Sequence, residues 1–136
     1  MTLEWNPRLD TCDVQINQQH KRLFALVNQL IHATDSTQAR DSTRRLLDYL
    51  EAHFAYEEAT MEHANYPDTL EHRRDHIQLG SKMRFLQKKQ PEMPPALYKF
   101  QLVAMFKEWM QHHIPEHDIR LAEFLSYGDT CHADLL

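Results

Sequence analysis

The stretch HFAYEEATM, residues 53–61, decides the fold class, because it places two ionisable side chains on the apolar face of a helix. His53 and Glu57 are four residues apart, which is a rotation of about 400° on an α-helix, so the two side chains point in nearly the same direction. The rest of that face is apolar. Its members are Leu46, Leu47, Leu50, Phe54 and Met61. We therefore predict a long helix from about Thr37 to Ala64.

Three further stretches show the same helical spacing of apolar residues and predict three more helices. The first follows Asn17, a candidate N-cap, and ends in the polar residues 34–36. The second begins near Pro67, with Asn65 or Tyr66 as its cap, and ends near Lys89. The inward residues of these two helices are His20, Leu23, Phe24, Val27, Leu30 and Ile31, and then Leu70, His72, His76, Leu79, Met83 and Leu86.

Prolines define the last helix of the four. Pro91, Pro94 and Pro95 separate it from the helix before, because each proline fixes φ and lacks a backbone donor. Pro115 interrupts it, and a short helical piece with Ile119, Leu121, Phe124 and Leu125 follows. The inward residues of the fourth helix are Leu102, Met105, Phe106, Trp109 and His113. Short connections predict an all-α, antiparallel up-down-up-down four-helix bundle.

Length and composition agree with one helical domain over residues 1–136, with an N-terminal arm at 1–16 and a flexible tail at 126–136. The chain has only two glycines, and its formal charge of −5 without a basic cluster argues against a nucleic-acid partner. We find neither a signal peptide nor an apolar run long enough to span a membrane. We therefore expect a cytoplasmic protein that does not insert into membranes.

The two cysteines, Cys12 and Cys131, lie near opposite ends of the chain. Neither their number nor their spacing resembles a disulfide framework or a zinc knuckle. We expect free thiols in a reducing compartment, although the sequence leaves open whether the two cysteines pair.

Histidine is unusually frequent, with ten residues, and position separates candidate ligands from surface residues. Five histidines and Glu57 share the inward faces of the four predicted helices. Burying so many polar groups costs a large desolvation free energy unless a charged species binds them. A metal is the economical explanation. The five are His20, His53, His72, His76 and His113.

Asp118 joins the candidates by a different argument. On a continuous helix, five residues after His113, it would lie about 140° away from the inward face. Pro115 lies between the two and should kink or restart the helix, which can turn Asp118 inward. The alternative is a plain helix end at which Asp118 interacts with the helix dipole.

Together these residues and their spacing resemble the hemerythrin family. The matching segments span residues 5–125. They are Gln19-His20-Lys21-Arg22-Leu23, the stretch from His53 to Met61, Tyr66-Pro67 followed by His72 and His76, and Trp109 followed by His113-Ile114 and Asp118. The length resembles that of the single-domain bacterial members.

The resemblance implies a non-haem centre of two iron ions (Fe2+/Fe3+). His72, His76 and His113 would bind one iron, and His20 and His53 the other. Glu57 and Asp118 would bridge them together with an oxo or hydroxo group. Counting ligands then leaves one open position, on the iron with two histidines, where O2 would bind.

The terminal ligands of such a centre would all be neutral imidazoles, which we expect to favour reversible O2 binding over oxygen cleavage. Apolar residues beside the ligands should exclude water. These are Leu23, Phe54, Trp109 and Ile114. We therefore expect an oxygen carrier for storage, transport or delivery rather than an enzyme, with weak peroxidase-type activity not excluded and an oxygen-consuming partner unknown.

Three alternatives stay open at this stage. The first is a di-iron enzyme or repair protein acting on peroxide or nitric oxide, and the second is an oxygen or redox sensor. The third is a bundle that binds zinc, because imidazoles suit several divalent ions. The remaining histidines, Glu58 and Tyr66 are expected to lie outside the ligand set. Those histidines are His32, His63, His112, His117 and His132.

Overall fold

The computed structural model describes residues 2–126 and confirms the all-α four-helix bundle. The long helices are α1 (Val14–Ile31), α2 (Ser36–His63), α3 (Thr69–Lys89) and α4 (Pro95–His113). A π-helix, Ile114–Asp118, then leads into the short helix α5, Ile119–Leu125. Both α1 and α3 pack against α2 and α4, as expected for an up-down-up-down arrangement. That residues 1–136 form one domain stays a prediction.

The start of α1 differs from the sequence prediction. Asp13, not Asn17, is the N-cap: its side chain accepts a hydrogen bond from the Ile16 backbone N–H at 2.9 Å. The arm is therefore shorter than the predicted 1–16. Asn17 instead fastens the arm, because its Oδ1 accepts hydrogen bonds from the Thr11 backbone N–H at 2.9 Å and hydroxyl at 2.8 Å.

The connection between α2 and α3 also corrects the prediction, which offered Asn65 or Tyr66 as the cap of α3. Asn65 has φ 54° and belongs to the end of α2. Tyr66 N–H donates to the Met61 carbonyl at 3.0 Å, and Asn65 N–H donates to the Glu62 carbonyl at 3.2 Å. These two bonds form a Schellman motif, in which asparagine tolerates the left-handed conformation. Consequently α3 begins at Thr69, two residues after Pro67.

The prolines act as predicted between α3 and α4. Pro91 lies in a 3-10 turn, Gln90–Glu92, and Pro95 begins α4, where its missing N–H leaves no helical bond unmade. One predicted inward residue is wrong. Leu70 is 62% exposed, because it lies about 200° from His72 around α3.

The apolar core consists of two separate clusters. The larger fills most of the bundle and includes Leu23, Leu50 and Met110. The smaller joins Ile16, Met61, Tyr66 and Leu121. On α1, α2 and the α4–α5 segment, the candidate ligands lie in sequence between a residue of one cluster and a residue of the other.

The arm packs against α1 through an amide side chain. Asn28 accepts a hydrogen bond from Leu3 N–H at 2.7 Å and donates one to the Leu3 carbonyl at 2.9 Å. Trp5 then lies beside Phe24, with ring centroids 5.3 Å apart. Within residues 2–126, no helix combines the length and apolar character that crossing a membrane requires.

Candidate metal centre

All seven candidate ligands are buried in the interior of the bundle. None is more than 3% exposed. They are His20 on α1, His53 and Glu57 on α2, His72 and His76 on α3, His113 at the end of α4, and Asp118 at the end of the π-helix. The helical phase therefore predicted the burial of the five histidines and Glu57 correctly.

The π-helix explains how Asp118 reaches the interior. The Ile119 backbone N–H bonds to the Ile114 carbonyl, five residues back, instead of the residue four back. Residues five apart thus take the relative positions that residues four apart have in an α-helix. Asp118 follows His113 by five residues, and it is 0% exposed. The predicted inward turn near Pro115 is confirmed, and Asp118 is not an exposed helix end.

The ligand atoms form two overlapping groups. One contains Glu57, His72, His76, His113 and Asp118, and the other contains His20, His53, Glu57 and Asp118. Within each group the candidate ligand atoms lie within 4.8 Å of one another, which is close enough to surround a single ion. Only the two carboxylates belong to both groups.

The carboxylate of Asp118 divides its oxygens between the groups. Its Oδ2 lies 2.8 Å from His20 Nε2, whereas its Oδ1 lies 2.9 Å from both His72 Nε2 and His113 Nε2. Glu57 contacts the same cluster through Oε1, which lies 3.3 Å from His53 Nε2 and 3.1 Å from His76 Nε2. Each carboxylate therefore contacts histidines of both groups.

Several buried polar atoms of this cluster make no hydrogen bond of suitable geometry within the described residues, although some of them, such as His20 Nε2 and Asp118 Oδ2 at 2.8 Å, lie close together. They are both ring nitrogens of His20 and His72, His53 Nε2, Glu57 Oε2 and both oxygens of Asp118. Unsatisfied buried polar atoms are rare in proteins because each costs a desolvation free energy. Cations coordinated by these lone pairs would remove that cost, so the residues fit a metal centre.

The cluster keeps its carboxylates ionised. Burial by itself would raise the pKa of Glu57 and Asp118, but the surrounding histidines outweigh it and hold the pKa of each below its usual range. For His72 and His113, burial by itself would lower the pKa. Their contacts with the carboxylates of Asp118 and Glu57 outweigh burial, so the pKa of each histidine is raised. For His76, burial prevails and its pKa is lowered. The site thus presents two anions to an incoming cation.

Three residues outside the predicted set orient the ligands. Gln19 Oε1 lies 2.6 Å from His53 Nδ1, Glu58 Oε2 lies 3.2 Å from His76 Nδ1, and Asp75 hydrogen-bonds His113 Nδ1. Each bond leaves Nε2 facing the cluster, which is how outer partners fix metal-binding histidines. The sequence contains an indication of two of these partners, because Glu58 and Asp75 are acidic residues directly next to predicted ligands.

Aromatic rings cover the centre on the side of His76 and His113. Phe54 stacks on His76 with ring centroids 3.8 Å apart, and Trp109 stacks on His113 at 4.2 Å. Leu23 and Ile114, the other predicted wall residues, are each 1% exposed. The predicted apolar surroundings of the cluster are therefore present.

The other histidines separate from the cluster largely as expected. His32, His63 and His112 are exposed, and His132 lies outside the described residues, as does Cys131. The expectation of a free thiol is wrong for Cys12, which is disulfide-bonded. His117 differs from the prediction because it is only half-exposed, with its ring 5.2 Å from that of His113. Together with Asp75 and His113 it forms a smaller cluster at the edge of the centre.

Comparison with known proteins agrees with this geometry. The model of the family described as Hemerythrin HHE cation binding domain matches residues 13–125. A protein named Bacteriohemerythrin from Methylococcus capsulatus is 32% identical over 110 residues, covering 75% of this chain and 79% of that protein. A second Bacteriohemerythrin, from Stenotrophomonas maltophilia, is 35% identical over 54% of this chain and 50% of its own length.

Another relative covers more of the chain. The Hemerythrin-like protein of Naegleria gruberi is 28% identical over 116 residues, covering 85% of this chain and 87% of that protein. The family match spans both groups of candidate ligands. The chain belongs to the hemerythrin family of HHE cation-binding domains.

Proposed function

We propose that the chain is a non-haem di-iron protein that binds O2 reversibly. In this proposal His72, His76 and His113 hold one iron, His20 and His53 hold the other, and Glu57 and Asp118 bridge them. The supporting observation is that the two groups of ligand atoms overlap only in these two carboxylates. A single-ion site would give no reason for seven inward ligands on four helices and the π-helix.

Iron is proposed over zinc for two reasons. Structural zinc sites hold four ligands in a closed tetrahedron, whereas one group here offers five donors, and the two groups share two carboxylates instead of forming one closed set of four. The relatives named Bacteriohemerythrin and Hemerythrin-like protein also favour iron. A solvent-derived oxo or hydroxo bridge completes the proposed centre.

The residues around the centre suit binding of a small neutral gas. When bound, the iron pair supplies the two electrons that reversible O2 binding requires. The protein contributes neutral imidazoles as terminal ligands and stacked rings, Phe54 and Trp109, that restrict water. Exclusion of water should slow irreversible oxidation, which favours a carrier that stores, transports or delivers O2 over an enzyme.

Metal analysis is the first test of the proposal. Protein purified from iron-supplemented cells should contain two irons per chain, measured by elemental analysis against protein concentration. One zinc per chain would refute the di-iron assignment.

Visible spectroscopy tests reversibility. A sample reduced under argon should gain an oxygen-dependent absorption band in air and lose it on deoxygenation, over repeated cycles. A band that forms once and never reverses would exclude carriage. Steady turnover of peroxide or nitric oxide with regeneration of ferrous protein would instead establish the enzymatic alternative.

Substitutions test the ligand assignment. Glu57→Ala and His76→Ala should each abolish the oxygenated spectrum, because each removes a buried donor. His63→Ala removes an exposed histidine on the same helix as Glu57 and should leave the spectrum intact. A full spectrum in Glu57→Ala would contradict the bridging role.

A further inference from the structure

A long groove lies between α2 and α3 on the outside of the bundle. It encloses a cavity of about 790 Å³, whose lining runs along α2 from Arg40 to Glu58. That stretch of helix is about 27 Å long. A second cavity, of about 440 Å³, shares Arg40 and Tyr98 with the first and extends the groove at the end far from the metal centre. The apolar lining of the larger cavity includes Leu47, Leu50, Phe54, Ile77 and Met83.

The buried hydroxyl of Tyr98 lies at the end shared by the two cavities. Tyr98 is 5% exposed, and its hydroxyl has no hydrogen-bond partner within residues 2–126. Burial raises its pKa, so the hydroxyl remains a donor at neutral pH. A buried tyrosine hydroxyl usually finds a partner, and a ligand with an acceptor atom would supply one here.

Gly80 keeps the middle of the groove open. It lines the cavity in the interior of α3, where glycine is less favourable than any residue except proline. The packing does not require glycine, because an added Cβ would meet only the Arg84 guanidinium, at 3.6 and 3.9 Å. The missing side chain therefore leaves space in the groove and has no role in helix packing.

Charge is distributed unevenly along the groove. Arg40 and Arg44 line it near Tyr98, whereas the acidic Asp48, Glu51 and Glu58 follow along α2 towards the metal centre. Arg40 has no ion-pair partner in the described part of the chain. At the opposite end, Arg73 pairs with Glu58 at 3.1 Å. Arg84 lines the middle of the groove beside Gly80, on α3. Along α2, Arg40 and Arg44 favour an anionic group at the Tyr98 end, and the acidic side chains disfavour one farther along.

We propose that this groove binds an amphipathic monocarboxylate, such as a medium- or long-chain fatty acid. The carboxylate accepts hydrogen bonds from Arg40 and the Tyr98 hydroxyl, and the alkyl chain lies over Gly80 towards Phe54. The size of the cavity, its apolar lining and its few polar groups at one end match those of small-molecule sites. The groove reaches the proposed metal centre at Phe54 and His76, whereas its carboxylate end at Arg40 and Tyr98 lies away from that centre, and the proposal does not rest on O2 binding.

Calorimetric titration of the metal-loaded full chain with dodecanoate tests the proposal. We expect saturable binding to one site, with affinity rising about fourfold for each methylene added from octanoate to dodecanoate. Dodecyltrimethylammonium has the same alkyl chain with the opposite charge and should bind at least tenfold more weakly. Absence of saturable dodecanoate binding, or equal binding of the cation, would overturn the proposal.

Substitutions in the groove test where dodecanoate binds. Gly80→Leu fills the groove and should weaken dodecanoate binding at least tenfold, whereas Gly80→Ala should change it less than threefold. Tyr98→Phe and Arg40→Gln should each weaken it three- to tenfold. Circular dichroism confirms that each variant folds, and unchanged affinity in folded Gly80→Leu would refute the site.

A matched control addresses another apolar surface that a fatty acid can reach. Phe85 is 62% exposed beside Lys82 and Met105, in a smaller cavity between α3 and α4. Phe85→Ser should leave dodecanoate binding unchanged. If Phe85→Ser abolished binding while Gly80→Leu did not, the ligand would bind between α3 and α4, and the proposal would be wrong.

Discussion

At the level of single residues, the partners of the histidine Nδ1 atoms make the two halves of the centre electrostatically different. The carboxylates of Glu58 and Asp75 contact His76 and His113, in the group with three histidines. His53, in the other group, contacts the neutral amide of Gln19. An anionic partner makes an imidazole a stronger donor to a metal, so the proposed three-histidine iron should favour the ferric state more strongly.

Asp75→Asn tests this difference. The asparagine carbonyl still accepts the bond from His113 Nδ1, but the negative charge is lost. We expect iron affinity to fall about 10- to 100-fold, measured by competition with a chelator, and the reduction potential to rise, measured by potentiometric titration.

Gln19→Glu is the matched reverse change, because it adds a charge behind His53. It should lower the reduction potential and leave the histidine orientation intact. Equal potentials in wild type, Asp75→Asn and Gln19→Glu would show that these partners only position the rings.

Residue-level prediction from the sequence succeeded where helical phase decides the outcome. The five histidines and Glu57 are buried as predicted because they repeat with the apolar residues of their helices. Asp75 and Gln19 escaped prediction because each contacts a histidine on another helix, 38 and 34 residues away. Their sequence neighbourhood does not specify which helices meet.

At the level of secondary structure, the π-helix is the element on which the centre depends. Pro115 lies within this π-helix, and the extra residue of the π-helical turn keeps Asp118 facing His20. Deleting the exposed Glu116 should convert this turn to an α-helix with Asp118 four residues after His113, so its inward direction is kept. We expect the deletion variant to load two irons per chain.

Insertion of one alanine after Glu116 is the opposite test. It should rotate Asp118 by about 100° away from the cluster and reduce iron content, measured by elemental analysis. Full loading in the insertion variant, or loss of iron in the deletion variant, would contradict this account of the π-helix.

Element boundaries were harder to predict than the elements themselves. Asp13 and Asn17 are both good N-cap residues, and the choice of Asp13 follows from Asn17 bonding to Thr11 in the arm. Asn65 is equally suited to starting or ending a helix, and its positive φ places it at an end. These choices depend on tertiary contacts, which a single sequence pattern does not contain.

At the level of the whole molecule, the centre joins all four helices between two separate apolar clusters. Ions bound there would act only on the folded state and stabilise it by mass action. We expect iron removal by a chelator under reducing conditions to lower the unfolding free energy by about 4 kcal/mol when free iron had been at about 1,000 times its dissociation constant.

Thermal unfolding followed by circular dichroism measures this loss as a drop in the midpoint temperature, and added ferrous iron should restore it. His63→Ala should show the same difference between loaded and stripped protein as wild type. Identical midpoints for loaded and stripped wild type would show that metal does not hold the helices together.

The amide bonds between Leu3 and Asn28 have a consequence for how metal leaves the protein. The Asn28 side chain accepts one hydrogen bond from the Leu3 backbone and donates one to it, and it bonds the arm at this residue alone. The bonds of Asn17 to Thr11 hold the other end of the arm, so the part around Leu3 can open at lower free-energy cost than the helices. Because Trp5 lies 6.5 Å from the ring of His20, detachment of the arm uncovers that histidine. Iron exchange should therefore proceed through transient release of the arm, at a rate independent of global unfolding.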